Sequence, residues 1–295
     1  MKSMLKWISI LLFTALAAAQ TTAPSPATAA PATAASAQNN WLPPLTGNED
    51  ATVKKARTLL TQMIEAMGGA AYMDLNSVEQ IGLTYSFYNG RPNSLGTDFR
   101  RVIKYPDKER VELTKQRDVV YIANGKTGWE VTYKGTTLQD PKTWRDYSRR
   151  RNFSLEYMLR VWLKQPSTQI YYEGTAISEQ RMADVVSLMN GRNESATIYI
   201  DQTSHLPIKN TYSYRDPYDK QKDQEGEIYG NWRMEGTINT PHSIVRTHNG
   251  DYASQRFIKS VTYNVATPDS LFTAKPTYDP YVLERRLDQE KIPEP

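Results

Sequence analysis

Two periodicities divide the chain. Val53, Ala56, Leu59, Leu60, Met63, Ile64 and Met67 recur at helical spacing, with Lys54, Lys55, Arg57, Gln62 and Glu65 mostly between them. That is one apolar stripe of an amphipathic helix. Asn48, Glu49 and Asp50 offer cap and acidic residues at its start, and Gly68-Gly69 stops it. Beyond it the period falls to two. Leu83, Tyr85 and Phe87 alternate with Thr84 and Ser86 before Asn89-Gly90, and Trp129, Val131 and Tyr133 alternate with Glu130 and Thr132 before Lys134-Gly135. Similar short runs centre on residues 102–103, 111–113, 119–122, 170–172, 185–189, 197–200, 211–214, 228–234, 243–247 and 257–264. Asn-Gly dipeptides at 124–125, 190–191 and 249–250 separate several of them. Alternating runs joined by such dipeptides predict hairpins, and hairpins in series predict a meander of sequence neighbours.

One stretch breaks the meander. Leu155, Met158, Leu159, Trp162 and Leu163 fall on one helical stripe, with Ser154 placed to cap it and Pro166 just beyond. A long open sheet leaves an apolar face and two edges exposed. The predicted fold is therefore mainly β: a single curved antiparallel sheet, an incomplete barrel, whose concave face is covered by the N-terminal helix and the inserted helix.

The N-terminus predicts export. Lys2 and Lys6 precede an apolar run over 7–16, and Ala17-Ala18-Ala19 gives a signal peptidase its small residues. The run is short for a membrane span, and no Cys follows to carry a lipid anchor. Cleavage after Ala19 would release a periplasmic chain without a transmembrane segment. Residues 20–40, rich in Ala, Thr and Pro, read as a tether that cannot bury enough to order itself. Residues 41–277 read as one domain, expected to be monomeric, and 278–295 as a polar tail.

Composition narrows the chemistry. The chain has no Cys, which excludes disulfides, thiolate catalysis and Cys-ligated metals. Its formal charge is +4, and loss of Lys2 and Lys6 with the signal leaves +2, too little to argue for nucleic acid. His205, His242 and His248 lack a ligand spacing and read as surface residues, and no nucleophile elbow or phosphate loop is present. No metal or other cofactor is expected. The chain reads as a non-enzyme, a secreted hydrolase being the weakest of its alternatives.

Four segments, taken in order, resemble the LolA-like family of periplasmic lipoprotein carriers and their outer-membrane lipoprotein-sorting relatives. They are the helix ending Met67-Gly68-Gly69, the Val102-Ile103-Lys104-Tyr105-Pro106 corner, the Asn124-Gly125-Lys126-Thr127-Gly128-Trp129 turn, and Val261-Thr262-Tyr263-Asn264 leading to Leu271-Phe272 and Pro276. Asp201 and Leu206-Pro207 are similar to a further hairpin of the relatives. The resemblance implies a helical lid over an apolar cavity and, as partners, lipid or lipoprotein acyl chains and an envelope membrane protein. Dedicated carriers tie the lid with an Arg before the corner Pro. Tyr105 stands there in this chain, with Lys104 beside it.

On this footing Tyr85, Phe87, Tyr105 and Trp129 are expected at the cavity, and Leu155, Met158, Leu159, Trp162 and Leu163 in the lid. The stripe alone reads equally as a core helix, and Trp129 as a packing residue. Arg149, Arg150 and Arg151 are expected to meet lipid headgroups or an acidic partner, or to lie in a solvated loop. The other class of function is an envelope interaction module whose cavity is filled by its own side chains.

Overall fold

A computed structural model describes residues 41–42, 50–93 and 95–280. The predicted signal, the tether and most of the tail lie outside the described residues. The chain runs through α1 (Ala51–Met67), α2 (Ala70–Met73), β1 (Ser77–Tyr88), β2 (Arg91–Pro92), β3 (Thr97–Lys104), β4 (Lys108–Leu113), β5 (Val119–Asn124), β6 (Thr127–Thr132) and β7 (Gly135–Leu138). Then come α3 (Pro141–Asn152), α4 (Leu155–Arg160) and a 3-10 turn, Trp162–Lys164. The second half is β8 (Gln169–Ser178), β9 (Arg181–Met189), β10 (Ser195–Asp201), β11 (Pro207–Arg215), β12 (Lys222–Glu235), β13 (Ile238–His248) and β14 (Asp251–Tyr263), closed by a 3-10 turn, Asp269–Phe272.

These strands make one antiparallel sheet in the order β7-β6-β5-β4-β3-β1-β14-β13-β12-β11-β10-β9-β8, with the short β2 on β1. It is not closed into a barrel. The turns follow their residues: Asn249 and Gly250 both take positive φ, 51° and 89°, as a tight hairpin between twisted strands requires. The pairing departs from the expected neighbour-to-neighbour series in one place. β1 lies between β3 and β14, so two meanders meet at the first and last long strands. The two edges, β7 and β8, are consecutive in sequence, and the helical link between them crosses one face of the sheet.

α1 forms as its sequence dictates. The Asp50 carboxylate accepts from the Val53 amide at 2.9 Å, and Gly68 ends the helix at φ 126°. Its stripe packs with α4 and the strands into the main core, in which Leu60, Met63, Ile64, Met158, Leu159, Leu188 and Ile198 are fully buried. A smaller cluster of Val102, Val120, Ile122 and Phe272, with Trp129 against it, sits beneath the last 3-10 turn.

Candidate functional site

The inserted link holds two helices where the apolar stripe predicted one. α3 has no buried residue, so it leaves no stripe in the sequence. Local chemistry makes it a helix. The Asp140 carboxylate accepts from the amides of Lys142 and Thr143, each at 2.9 Å, and Pro141 opens the first turn. Lys142 and Arg149 pair with Asp146, each at 2.9 Å. Arg149, Arg150 and Arg151 fall in the last turn, where cations suit the helix dipole. The basic cluster is thus helical, not a loop.

Beneath α3 lies a cavity of about 400 Å³, walled by strands from both meanders. Arg101, Glu109, Val111, Tyr121 and Ala123 come from β3–β5, Glu227, Ile244 and Arg246 from β12 and β13, and Arg256 from β14. Tyr147, Arg150 and Arg151 close it from α3. These strand residues share one alternation: Arg101 stands opposite Val111, Val111 opposite Tyr121, and Glu227 opposite Arg246.

Five arginines face two glutamates here. Glu109 is engaged twice, by Arg101 Nε and by the Tyr147 hydroxyl, which donates at 2.6 Å. Burial pushes the Glu109 carboxyl up, but Arg101 and these hydrogen bonds outweigh it and hold it below its ordinary value. Burial, with Glu109 beside it, raises the Tyr147 hydroxyl far above the usual phenol range. Arg151 Nη1 donates to the carbonyls of Gly125, at 2.9 Å, and Asp107, at 3.2 Å, pinning the end of α3 to the β4 and β5 termini. Arg256 reaches Glu227 at 3.4 Å. Arg150 and Arg246 make no hydrogen bond or ion pair among the described residues. No group of three metal-ligating side chains is brought together among those residues either.

Of the expected site residues, Arg150 and Arg151 line this cavity. Arg149 turns away, stacking 3.5 Å from the Tyr214 ring centroid and pairing with Asp146. Leu155, Met158, Leu159, Trp162 and Leu163 are at most 3 % exposed and belong to the main core. Their stripe is split between α4 and the 3-10 turn, and they do not wall the large cavity. Tyr105 packs at the rim of the core, where Arg160 covers its ring. Trp129 pairs with Ile122 and packs in the smaller cluster.

Tyr85 and Phe87 correct the expectation most clearly. Thr84 lines the cavity, so its odd-numbered neighbours point to the other face of β1. There Tyr85 meets Phe257 edge-on at 5.8 Å, and Phe87 meets Tyr252 likewise. His242 is also corrected. It is buried, with Nδ1 2.8 Å from the Ile258 carbonyl and Nε2 2.9 Å from Glu235. Arg101, Glu109, Tyr147, Glu227, Arg246 and Arg256 were missed, because they come from separate segments, each among other polar residues with no local motif to single it out.

No protein-family model matches the sequence, and no curated protein matches it. Solved structures do. A DUF1329 family protein from Desulfovibrio piger aligns with TM-score 0.54 at 10% identity, over 75% of this chain and 97% of that one. A LolA superfamily protein from Nitrosomonas europaea aligns with TM-score 0.48 at 13% identity, over 76% and 99%. An outer membrane lipoprotein-sorting protein domain from Vibrio parahaemolyticus aligns with TM-score 0.47 at 8% identity, over 75% and 97%. The likeness to the first of these shows the fold alone.

Proposed function

We propose that this chain is a non-catalytic binding or carrier protein of the cell envelope, exported by its N-terminal signal, that holds a lipid or other apolar-bodied ligand under α3. The observation that carries this reading is the cavity itself. Its volume falls in the range of small-molecule sites, and Val111, Tyr121, Ala123 and Ile244 give it an apolar wall. α3 is the covering element, in place of the apolar stripe of α4. The two glutamates of the cavity are both tied to arginines, which leaves no free carboxylate as a general base.

The test is direct. Organic extracts of the exported protein, whose intact mass should begin at Gln20, are examined by mass spectrometry. A fluorescent fatty-acid probe is then titrated into the same protein. One co-purifying ligand class and saturable, displaceable binding near one equivalent are expected. An empty extract with no saturable binding would leave the envelope interaction module as the reading.

A further inference from the structure

The charge of the cavity is unbalanced in a particular way. Its two carboxylates are already committed, Glu109 to Arg101 and Tyr147, and Glu227 to the Tyr229 hydroxyl at 3.1 Å and to Arg256 at 3.4 Å. Arg150, from α3, and Arg246, from β13, approach the same space from its two walls without a hydrogen bond or ion pair among the described residues. Burial lowers the Arg246 guanidinium below its ordinary pKa and the charge of Arg150 lowers it further, and the nearby Glu225 and Glu227 offset this only in part. Burial and the charge of Arg101 do the same to Arg256, and Glu227 and Glu109 offset this only in part. Guanidinium groups held together in a half-buried space disfavour the folded chain unless something neutralises them. A guanidinium fork fits the oxygens of a carboxylate or a phosphate two at a time. Beside these forks lie the apolar side chains of Val111, Ala123 and Ile244.

We infer that the ligand of this cavity is an anionic amphiphile, its phosphate or carboxylate headgroup held by Arg150 and Arg246 and its apolar body laid against Val111, Tyr121, Ala123 and Ile244. This rests on the binding function proposed above and adds the headgroup to it. A lipid headgroup and a free oxyanion present the same chemistry to the arginines, so the apolar body distinguishes the two sources.

Calorimetric titration of the exported protein separates the outcomes. Four ligands of equal chain length are compared below their micellar concentrations: dodecyl phosphate, dodecanoate, dodecyl maltoside and dodecyltrimethylammonium. Inorganic phosphate serves as the headgroup alone. The two anionic amphiphiles should bind at least roughly tenfold more tightly than the neutral and cationic ones, as one or two charge-assisted hydrogen bonds would give. Raising the salt should weaken them selectively. Arg150→Gln and Arg246→Gln should remove the preference, while Arg192→Gln, which loses the same charge on the exposed β9–β10 turn, should keep it. Neither cavity arginine holds the fold through a hydrogen bond, so Arg246→Gln should melt at or above the wild-type temperature in the absence of ligand. Equal affinity for all four amphiphiles would overturn the headgroup assignment and leave the binding function standing. Inorganic phosphate binding as tightly as dodecyl phosphate would overturn the amphiphile. No binding of any probe would remove the binding function itself.

Discussion

The guanidinium of Arg160 lies 4.1 Å from the centroid of the Tyr105 ring and 4.6 Å from that of Tyr72. Its Nη2 donates to the Tyr72 carbonyl at 2.6 Å. Tyr105 is the residue before the corner Pro106, and the guanidinium over its ring comes from the end of α4. One buried side chain so ties the inserted helices to the β3–β4 corner and to α2. Arg160→Ala would strand the Tyr72 carbonyl and two ring faces, and should lower unfolding stability by about 2–4 kcal/mol. Arg160→Lys keeps the charge but not the planar stack, and should recover only part of that in urea denaturation.

The apolar stripe of α4 and its 3-10 turn should behave as core. Leu159 is fully buried, and Leu159→Ala should cost about 2–5 kcal/mol. Replacing Leu159 and Trp162 together by Asp should abolish the cooperative unfolding transition. A double variant that keeps a native-like transition would return these residues to a lid.

Glu109 predicts an acid limb in the stability profile. Its carboxyl is held below the ordinary 4.5 in the folded chain by Arg101 and Tyr147. The stability this gives is therefore fully present above pH 4.5 and is lost as pH falls through the lower folded value. Glu109→Gln should lose that limb. It should also be less stable at pH 7 by about 3 kcal/mol, because Arg101 is left without its partner. Denaturation of both proteins between pH 3 and pH 7 measures the difference.

Gly82 marks the junction of the two meanders. The β1–β14 register shifts between Ile81 and Gly82, and a Cβ at Gly82 would overlap the Phe257 carbonyl. Gly82→Ala should cost about 1–3 kcal/mol as the backbone gives way. Amide exchange should accelerate first in β1 and β14, and uniform exchange across the sheet would contradict this junction.

Most strands and α1 are legible in the sequence because their signals are local: alternation, Asn-Gly turns, and a stripe between Asp50 and Gly68. The β1–β14 pair is not, since no short-range pattern records which distant strand completes an edge. α3 escapes because its contacts are made by Arg, Tyr and Trp side chains and not by an aliphatic stripe. The cavity inverts the usual reading of alternation. An inner wall that faces a hollow lined by both charged and apolar groups carries Thr84, Arg101 and Arg256, while the outer face of the same strands carries Tyr85, Phe87 and Phe257. Sorting apolar inward and polar outward therefore sends Tyr85 and Phe87 to the wrong side.

The meeting of the first and last long strands also sets a schedule for folding. Val78 pairs with Tyr263, 185 residues later (263 − 78), so β1 keeps an open hydrogen-bonding edge until nearly the whole domain has been made. Contacts of such sequence separation form slowly. Until β14 arrives, that edge can recruit strands from other chains. The early half of the protein is thus the part for which a chaperone would matter most, and β14 is the strand whose arrival ends the need.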